Sequence, residues 1–107
     1  MPATTVSEAQ SGSVLKLKRG DELIVSLAEN PTTGFRWAVE ANAAPCLSAA
    51  SSEFQPSGAS AAGAGGHRVF RFLAASPGKS QLRLVLRQEW QPNAPASRFD
   101  LSIHVAD

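Results

Sequence analysis

The sequence predicts an all-β protein, a β-sandwich of about seven to eight antiparallel strands. Hydrophobic residues alternate with polar ones along six segments, turn-forming residues separate most of these segments, and no stretch of convincing length repeats at the helical period. Alternation of period two with a polar outer face is typical of half-buried antiparallel strands. So many short strands in 107 residues favour two packed sheets.

The first two strands are predicted at residues 14–18, which read VLKLK, and at residues 22–28, which read ELIVSLA. In both segments aliphatic residues fall at every second position, so they share one face of a strand. Arg19, Gly20 and Asp21 are expected to form the turn between the two strands, because Gly and Asp favour turns.

The third strand is predicted at residues 35–40 (FRWAVE), where the two aromatic residues and the valine fall on one face. The chain that follows is rich in Ala, Ser and Gly. It is expected to hold one weak strand around residues 46–54 and then a flexible loop through residues 58–66.

The last three strands are predicted at residues 67–74 (HRVFRFLA), 81–88 (QLRLVLRQ) and 98–105 (RFDLSIHV). The final segment alternates most strictly, with Phe, Leu, Ile and Val against Arg, Asp, Ser and His. Residues 76–79 read SPGK and predict a tight turn, with Pro at its second position and Gly at its third.

The composition excludes several functional classes. Ten Lys and Arg residues against nine Asp and Glu residues give a formal net charge of +1, so the basic field that nucleic-acid binding needs is missing. A single cysteine excludes an intrachain disulfide and a multi-thiolate metal site, and two histidines cannot form a His-rich zinc site. No apolar run is long enough for a transmembrane helix. We therefore expect no metal, no cofactor, no nucleic-acid partner and no membrane partner.

The chain is expected to form a single domain over residues 1–107, with a flexible N-terminal segment at residues 1–12, and to be a monomer. Its start has neither the basic region nor the apolar region of a signal peptide. The expected location is the cytoplasm, or the periplasm or exterior if a signal has been removed.

No catalytic set is visible, since the sequence lacks a G-x-S-x-G elbow, a P-loop and an H-E-x-x-H motif. Cys46 could act as a nucleophile only beside a histidine, and we expect it to be a small buried hydrophobic residue instead. His67 and His104 are expected to be solvated polar residues. The protein is therefore not expected to be an enzyme, and its loops are the expected functional surface.

The first candidate loop, called the first loop below, joins the second and third predicted strands. It consists of Asn30, Pro31, Thr32, Thr33 and Gly34. Pro31 fixes its own φ and favours an extended Asn30, while Gly34 permits a positive φ. These residues predict a stiff, narrow loop with two threonine hydroxyls near its tip, although composition alone favours an ordinary structural turn.

Two further loops are candidates. The second loop is glycine-rich and consists of Gly63, Ala64, Gly65 and Gly66. Such a loop lets another backbone approach closely, or it is only a flexible connection. The third loop, residues 87–92, contains Trp90 just beyond a strand. A tryptophan there is either a lid on the core or an exposed anchor for a partner.

Together these residues resemble the chagasin family, the proteinaceous inhibitors of papain-like cysteine peptidases. The resemblance covers nearly the whole chain, residues 14–105. Residues 30–37 match the family's N-P-T-T-G-aromatic-x-W motif without a break, and residues 63–66 match its G-x-G-G motif.

The third loop departs from the family's R-P-W pattern. Alignment on Trp90 puts Gln88 and Glu89 where the family has Arg and Pro, and alignment on Arg87 requires an extra residue. Trp90 is taken as the equivalent aromatic residue, and either Arg87 or Gln88 corresponds to the family's arginine.

The resemblance implies an immunoglobulin-like β-sandwich that inhibits papain-like cysteine peptidases, cathepsin L-like or related, tightly and reversibly. The first loop would enter the active-site cleft and cover the catalytic thiolate, while the other two would grip its rims. The implied partner-binding residues are Asn30, Pro31, Thr32, Thr33, Gly34, Gly63, Ala64, Gly65, Gly66, Arg87 and Trp90. Phe35 and Trp37 are expected to be core residues that hold the first loop from behind.

Two alternatives stay open. The same loops could serve a sandwich module that binds another protein or a carbohydrate, because a fold does not fix a function. A small enzyme that uses Cys46 is the other alternative. The unbroken motif at residues 30–37 favours the inhibitor, because a generic binding module has no need of it. The sequence does not identify the target peptidase.

Overall fold

The computed structural model describes residues 3–30, 34–56, 65–88, 90–91 and 95–107. Within them the chain forms a short 3₁₀ helix, Glu8–Gln10, and eight strands. The strands are β1 (Ala3–Val6), β2 (Ser13–Lys18), β3 (Glu22–Glu29), β4 (Phe35–Asn42), β5 (Leu47–Pro56), β6 (Gly66–Ala74), β7 (Gly78–Gln88) and β8 (Ser97–Ala106). No helix among these residues is long and apolar enough to cross a membrane.

The strands form two four-stranded sheets that pack as a sandwich. The first sheet has the order β1-β3-β6-β5, and the second has the order β2-β8-β7-β4. The inward faces meet in one core. The fully buried large side chains of this core are Phe72, Phe99, Leu23, Leu27, Leu82, Leu84, Leu101, Ile103 and Val25. Each lies at a position that the period-two pattern assigns to the buried face, so the prediction of an all-β sandwich is confirmed.

The prediction that all strands are antiparallel is wrong for two strand pairs. β1 runs parallel to β3, and β2 runs parallel to β8. The other four pairs are antiparallel. The antiparallel pairs join strands that are one or three apart along the chain, whereas the parallel pairs join strands that are two or six apart.

The N-terminal segment also differs from the expectation of a flexible stretch at residues 1–12. Ala3–Val6 is the edge strand of the first sheet, and Val6 is buried in the core. Glu8 accepts a hydrogen bond from the Ala28 N–H at 2.6 Å, beyond the point where β1 ends. Pairing, burial and this hydrogen bond hold the segment against β3.

The third predicted strand departs from its pattern in one respect. Trp37 is buried, but Phe35 is only half-buried and Val39 is exposed. β4 is the edge strand of the second sheet, and its pairing with β7 shifts register between Val39 and Ala41. The expectation of a core residue therefore holds for Trp37 and only in part for Phe35.

Candidate functional site

The strand directions place the three candidate loops at one end of the sandwich. The first loop follows β3, the second loop precedes β6 after β5, and the third loop follows β7. β3 and β5 run parallel within the first sheet, because both are antiparallel to β6. β4 begins where the first loop ends and is antiparallel to β7, so β7 ends beside the start of β4. We call this end of the molecule the loop end.

The first loop is described only at its two ends. Asn30 is half-buried after β3, and Gly34 has a φ of +80° before β4. A positive φ of this size is costly for residues that carry a Cβ, so the backbone requires glycine here, as expected. Pro31, Thr32 and Thr33, the expected tip, lie outside the described residues.

Trp37 closes the base of the first loop with two hydrogen bonds. Its indole Nε1–H donates to the Ala28 carbonyl oxygen at 2.9 Å, and its backbone N–H donates to a Glu29 carboxylate oxygen at 2.9 Å. β3 and β4 belong to different sheets, so no strand pairing joins them. These two bonds connect the strands on either side of the loop and thereby restrict its opening.

The Glu29 carboxylate is the one buried charged side chain among the described residues. None of its side chain is exposed, and Arg68 of β6 contacts it through Nη2 at 2.8 Å and through Nε at 3.2 Å. The Arg68 guanidinium also lies 5.6 Å from the centre of the Phe54 ring, within the range of a cation–π contact. A buried carboxylate needs such partners, because its desolvation is costly.

The sequence analysis missed Glu29. Leu23, Val25 and Leu27 face the core, and the next position on that face is Glu29. A charged residue at a core position was the available signal, because such a residue needs a buried partner. The partner itself lies 39 residues away, so no local spacing could identify Arg68.

The second loop is described at its final two glycines. Gly65 lies against the first loop: a Cβ added to it would be 3.4 Å from the Glu29 carbonyl oxygen and 3.7 Å from the Asn30 Cβ. Gly66 is buried and pairs with Glu29 as β6 begins. Gly63 and Ala64 lie outside the described residues. The end of the second loop therefore contacts the start of the first.

The third loop contacts the first loop from the other side. The Gln91 N–H donates to the Gln88 carbonyl oxygen at 3.0 Å, which closes a tight turn that carries Trp90. The Trp90 side chain is exposed, with a relative accessibility of 67%, and its ring lies on Gly34. Trp90 was expected to be either a lid on the core or an exposed residue, and in the structure it is exposed.

Basic side chains lie beside the third loop on the outer face of the second sheet. Arg87 is half-buried at the end of β7 and is directly opposite Arg36 of β4. Farther along this face, Asp100 raises the pKa of Arg83 through a 2.6 Å hydrogen bond and its negative charge, which keeps the guanidinium protonated. Glu40 lies 3.5 Å from the same guanidinium.

A cavity of about 310 Å³ lies between the first and second loops. Phe35 and Leu86 line it from the second sheet, and Asn30, Gly65 and Gly66 line it from the loops. Phe35 is thus half-buried as part of the wall of this cavity.

The other side chains considered in the sequence analysis are the cysteine and the two histidines. Within the described ranges no group of three or more His, Cys, Asp or Glu residues could hold a metal ion. Cys46 is a buried free thiol in the connection between β4 and β5, at the opposite end of the sandwich from the loops. His67 is exposed, and His104 is half-buried.

Comparison with known proteins gives a family match over most of the chain. The family described as Chagasin family peptidase inhibitor I42 matches residues 16–105. Amoebiasin-1 of Entamoeba histolytica is 24% identical over 103 residues, which cover 94% of this chain and 98% of that protein.

Solved structures show the same fold. The cysteine protease inhibitor EhICP2 from Entamoeba histolytica superposes with a TM-score of 0.87 at 17% identity, covering 97% of this chain and 96% of that one. PbICP-C, solved in complex with falcipain-2, superposes with a TM-score of 0.66 at 16% identity, covering 98% and 99% of the two chains. These likenesses confirm the immunoglobulin-like sandwich expected from the resemblance.

Proposed function

The chain belongs to the chagasin family of peptidase inhibitors, and we propose that it inhibits papain-like cysteine peptidases by inserting its loop end into their active-site cleft. The observation that carries the proposal is that the second loop and the third loop both contact the first. Gly65 of the second loop lies against Asn30, and Trp90 of the third loop lies on Gly34. The described ends of the three loops thus lie together at a single end of the sandwich.

Preorganisation explains how such a surface can bind tightly. Ordering flexible side chains and loops on binding costs free energy, and a surface that is already ordered avoids much of this cost. The bonds from Trp37 hold the base of the first loop, and the hydrogen bond from Gln91 to Gln88 restrains the chain on either side of Trp90. An interface of standard size, roughly 1,600 Å², with such a surface can support nanomolar affinity, about −12 kcal/mol.

Inhibition of this kind is steric. We propose that Thr32 and Thr33, at the tip of the first loop, cover the catalytic thiolate of the peptidase. A stiff loop that offers no peptide carbonyl in attack geometry is not cleaved, because reaction requires close alignment of the reacting atoms. Gly65 and Gly66 would allow the peptidase backbone to approach, and the exposed Trp90 ring would be buried against the opposite rim.

A titration of papain tests this function. Papain at a fixed concentration is incubated with increasing amounts of the protein, and hydrolysis of a small fluorogenic substrate is followed. We expect stoichiometric, reversible inhibition, with the inhibitor recovered uncleaved on a gel. Absence of inhibition at micromolar protein, for papain and for a cathepsin L-like enzyme alike, would contradict the proposal and favour a binding module that uses the same fold.

A further inference from the structure

The Glu29 carboxylate contacts β4, which follows the first loop, and β6, which follows the second loop. It is the last residue of β3, immediately before the first loop. Its carboxylate accepts a hydrogen bond from the backbone N–H of Trp37 in β4, the strand that follows that loop. It also pairs with Arg68, two residues after the second loop ends at Gly66. One buried side chain therefore joins three strands directly below the two loops.

A partner peptidase cannot touch this carboxylate in the structure, because none of the Glu29 side chain is exposed. Whatever Glu29 contributes to binding must act through the loops that it holds. A leucine would continue the buried face of β3, but it would leave the Trp37 N–H without its acceptor in a buried place. The glutamate thus supplies a hydrogen-bond acceptor for the Trp37 N–H, which a hydrophobic residue at this position cannot do.

Stability alone does not account for a buried ion pair. Replacing such a pair by apolar side chains of similar size is often neutral or stabilising, because two charges no longer need to be desolvated. Losing the bond to the Trp37 N–H, in contrast, removes one of the two hydrogen bonds that join β3 to β4 at the base of the first loop. Loop position and overall stability can therefore be separated by experiment.

We propose that Glu29, with Arg68, is a positioning residue for inhibition: it fixes the first loop relative to the second without touching the peptidase. This inference rests on the proposed function, since the loops matter only if they bind. Its central expectation is that an apolar replacement of the pair weakens inhibition while the protein stays folded.

The test compares two double variants in the full chain. In Glu29→Leu/Arg68→Met the buried pair becomes apolar. The matched control is Glu22→Leu/Arg71→Met, because Glu22 and Arg71 also join β3 to β6, with a 4.0 Å separation, but lie at the other end of these strands and are partly exposed. The single variant Glu29→Gln keeps an acceptor for the Trp37 N–H and serves as the conservative rescue.

Three quantities are measured for each variant: the melting temperature, the inhibition constant for papain, and the NMR signals of Gly34 and Trp37. The Gly34 Hα signals report loop position, because the Trp90 ring lies on this residue and shifts them by its ring current. Hydrogen exchange of the Trp37 amide reports its bond to Glu29 directly.

For Glu29→Leu/Arg68→Met we expect a folded protein that melts cooperatively at a lower temperature than the wild type, because the buried Trp37 N–H loses its acceptor. We also expect faster exchange of the Trp37 amide, altered Gly34 shifts and at least about tenfold weaker inhibition, roughly 1.4 kcal/mol. Glu29→Gln should lie between this variant and the wild type in inhibition and in Trp37 exchange. The control should inhibit like the wild type.

Unchanged Gly34 and Trp37 signals in the folded Glu29→Leu/Arg68→Met variant would overturn the positioning role, as would inhibition equal to that of the control. If this variant does not fold, the Glu29→Gln variant tests the positioning role. Its Gly34 and Trp37 signals and its inhibition constant are then compared with those of the wild type. A wild-type protein that does not inhibit papain would contradict the proposed function instead, and the NMR signals would still decide whether Glu29 fixes the loop.

Discussion

The indole ring of Trp90 lies so close to Gly34 that a Cβ on Gly34 would be 2.5 Å from Trp90 Cη2 and 3.2 Å from Cζ3. No real Cβ keeps such a distance, so the ring and the glycine fit together only without a side chain on the glycine. The contact joins the first loop to the third loop, which are far apart in the sequence. Gly34 therefore serves two purposes, because it also takes a φ of +80°.

We predict that Gly34→Ala weakens papain inhibition by about tenfold, roughly 1.4 kcal/mol. The added Cβ would push the Trp90 ring away and thereby disturb the contact between the first and third loops. The positive φ should also lower the free energy of unfolding by about 1–2 kcal/mol. Inhibition constants and urea denaturation measure the two effects, and altered acrylamide quenching of tryptophan fluorescence would report the displaced ring.

Gly20→Ala is the matched control for this prediction. Gly20 has a φ of +98°, but nothing lies within 4 Å of a Cβ placed there, and it belongs to the turn between β2 and β3 at the far end. It should lose stability through the same backbone strain and inhibit like the wild type. Equal inhibition by both variants would mean that the contact between Trp90 and Gly34 has no part in binding.

We predict that Trp90→Ala weakens inhibition by about 1–3 kcal/mol, because an exposed tryptophan buried on binding is a typical interface anchor. The melting temperature should change little, since the ring is 67% exposed and contributes little to the core. Leu73→Ala is the control, because Leu73 is also an exposed hydrophobic residue but lies near the far end of β6. A large loss of thermal stability in Trp90→Ala would contradict this interpretation.

Most strands could be predicted because burial on one face of a strand imposes a period of two on the sequence. β1 was missed because it has only four residues, of which Val6 alone is buried, and so short a segment shows no period. The parallel pairs were missed because strand direction depends on which strands become neighbours, and the alternation within a single strand carries no such information.

The candidate site was predictable where its residues are consecutive and unpredictable where they meet across the fold. The motif at residues 30–37 is visible in the sequence, and so is the requirement for glycine at position 34. The contact between Trp90 and Gly34 and the ion pair between Glu29 and Arg68 join distant segments. No spacing rule connects such residues, and only the pairing of strands that are distant in the sequence, β3 with β6 and β4 with β7, brings them together.

We predict that Thr32→Ala and Thr33→Ala each weaken inhibition and leave the melting temperature unchanged. The prediction comes from the sequence motif, which places both side chains at the tip of the first loop. Loss of one interface side chain at a central position typically costs more than about 1 kcal/mol of binding free energy. Inhibition constants and thermal denaturation measure these effects. Unchanged inhibition constants for both variants would show that Thr32 and Thr33 do not contribute to binding.

We predict that Val6→Ala lowers the free energy of unfolding by about 1–2 kcal/mol, because it removes two methyl groups from a side chain that packs in the core. The substitution would not change the free energy of unfolding if residues 1–12 were flexible, because Val6 would then make no contact with the core. Thr5→Ala is the control, since Thr5 precedes Val6 in β1 and is exposed, and its effect should stay within about 0.5 kcal/mol. Urea denaturation of both variants measures the difference. Equal stability of Val6→Ala and the wild type would show that β1 does not hold the edge of the first sheet in solution.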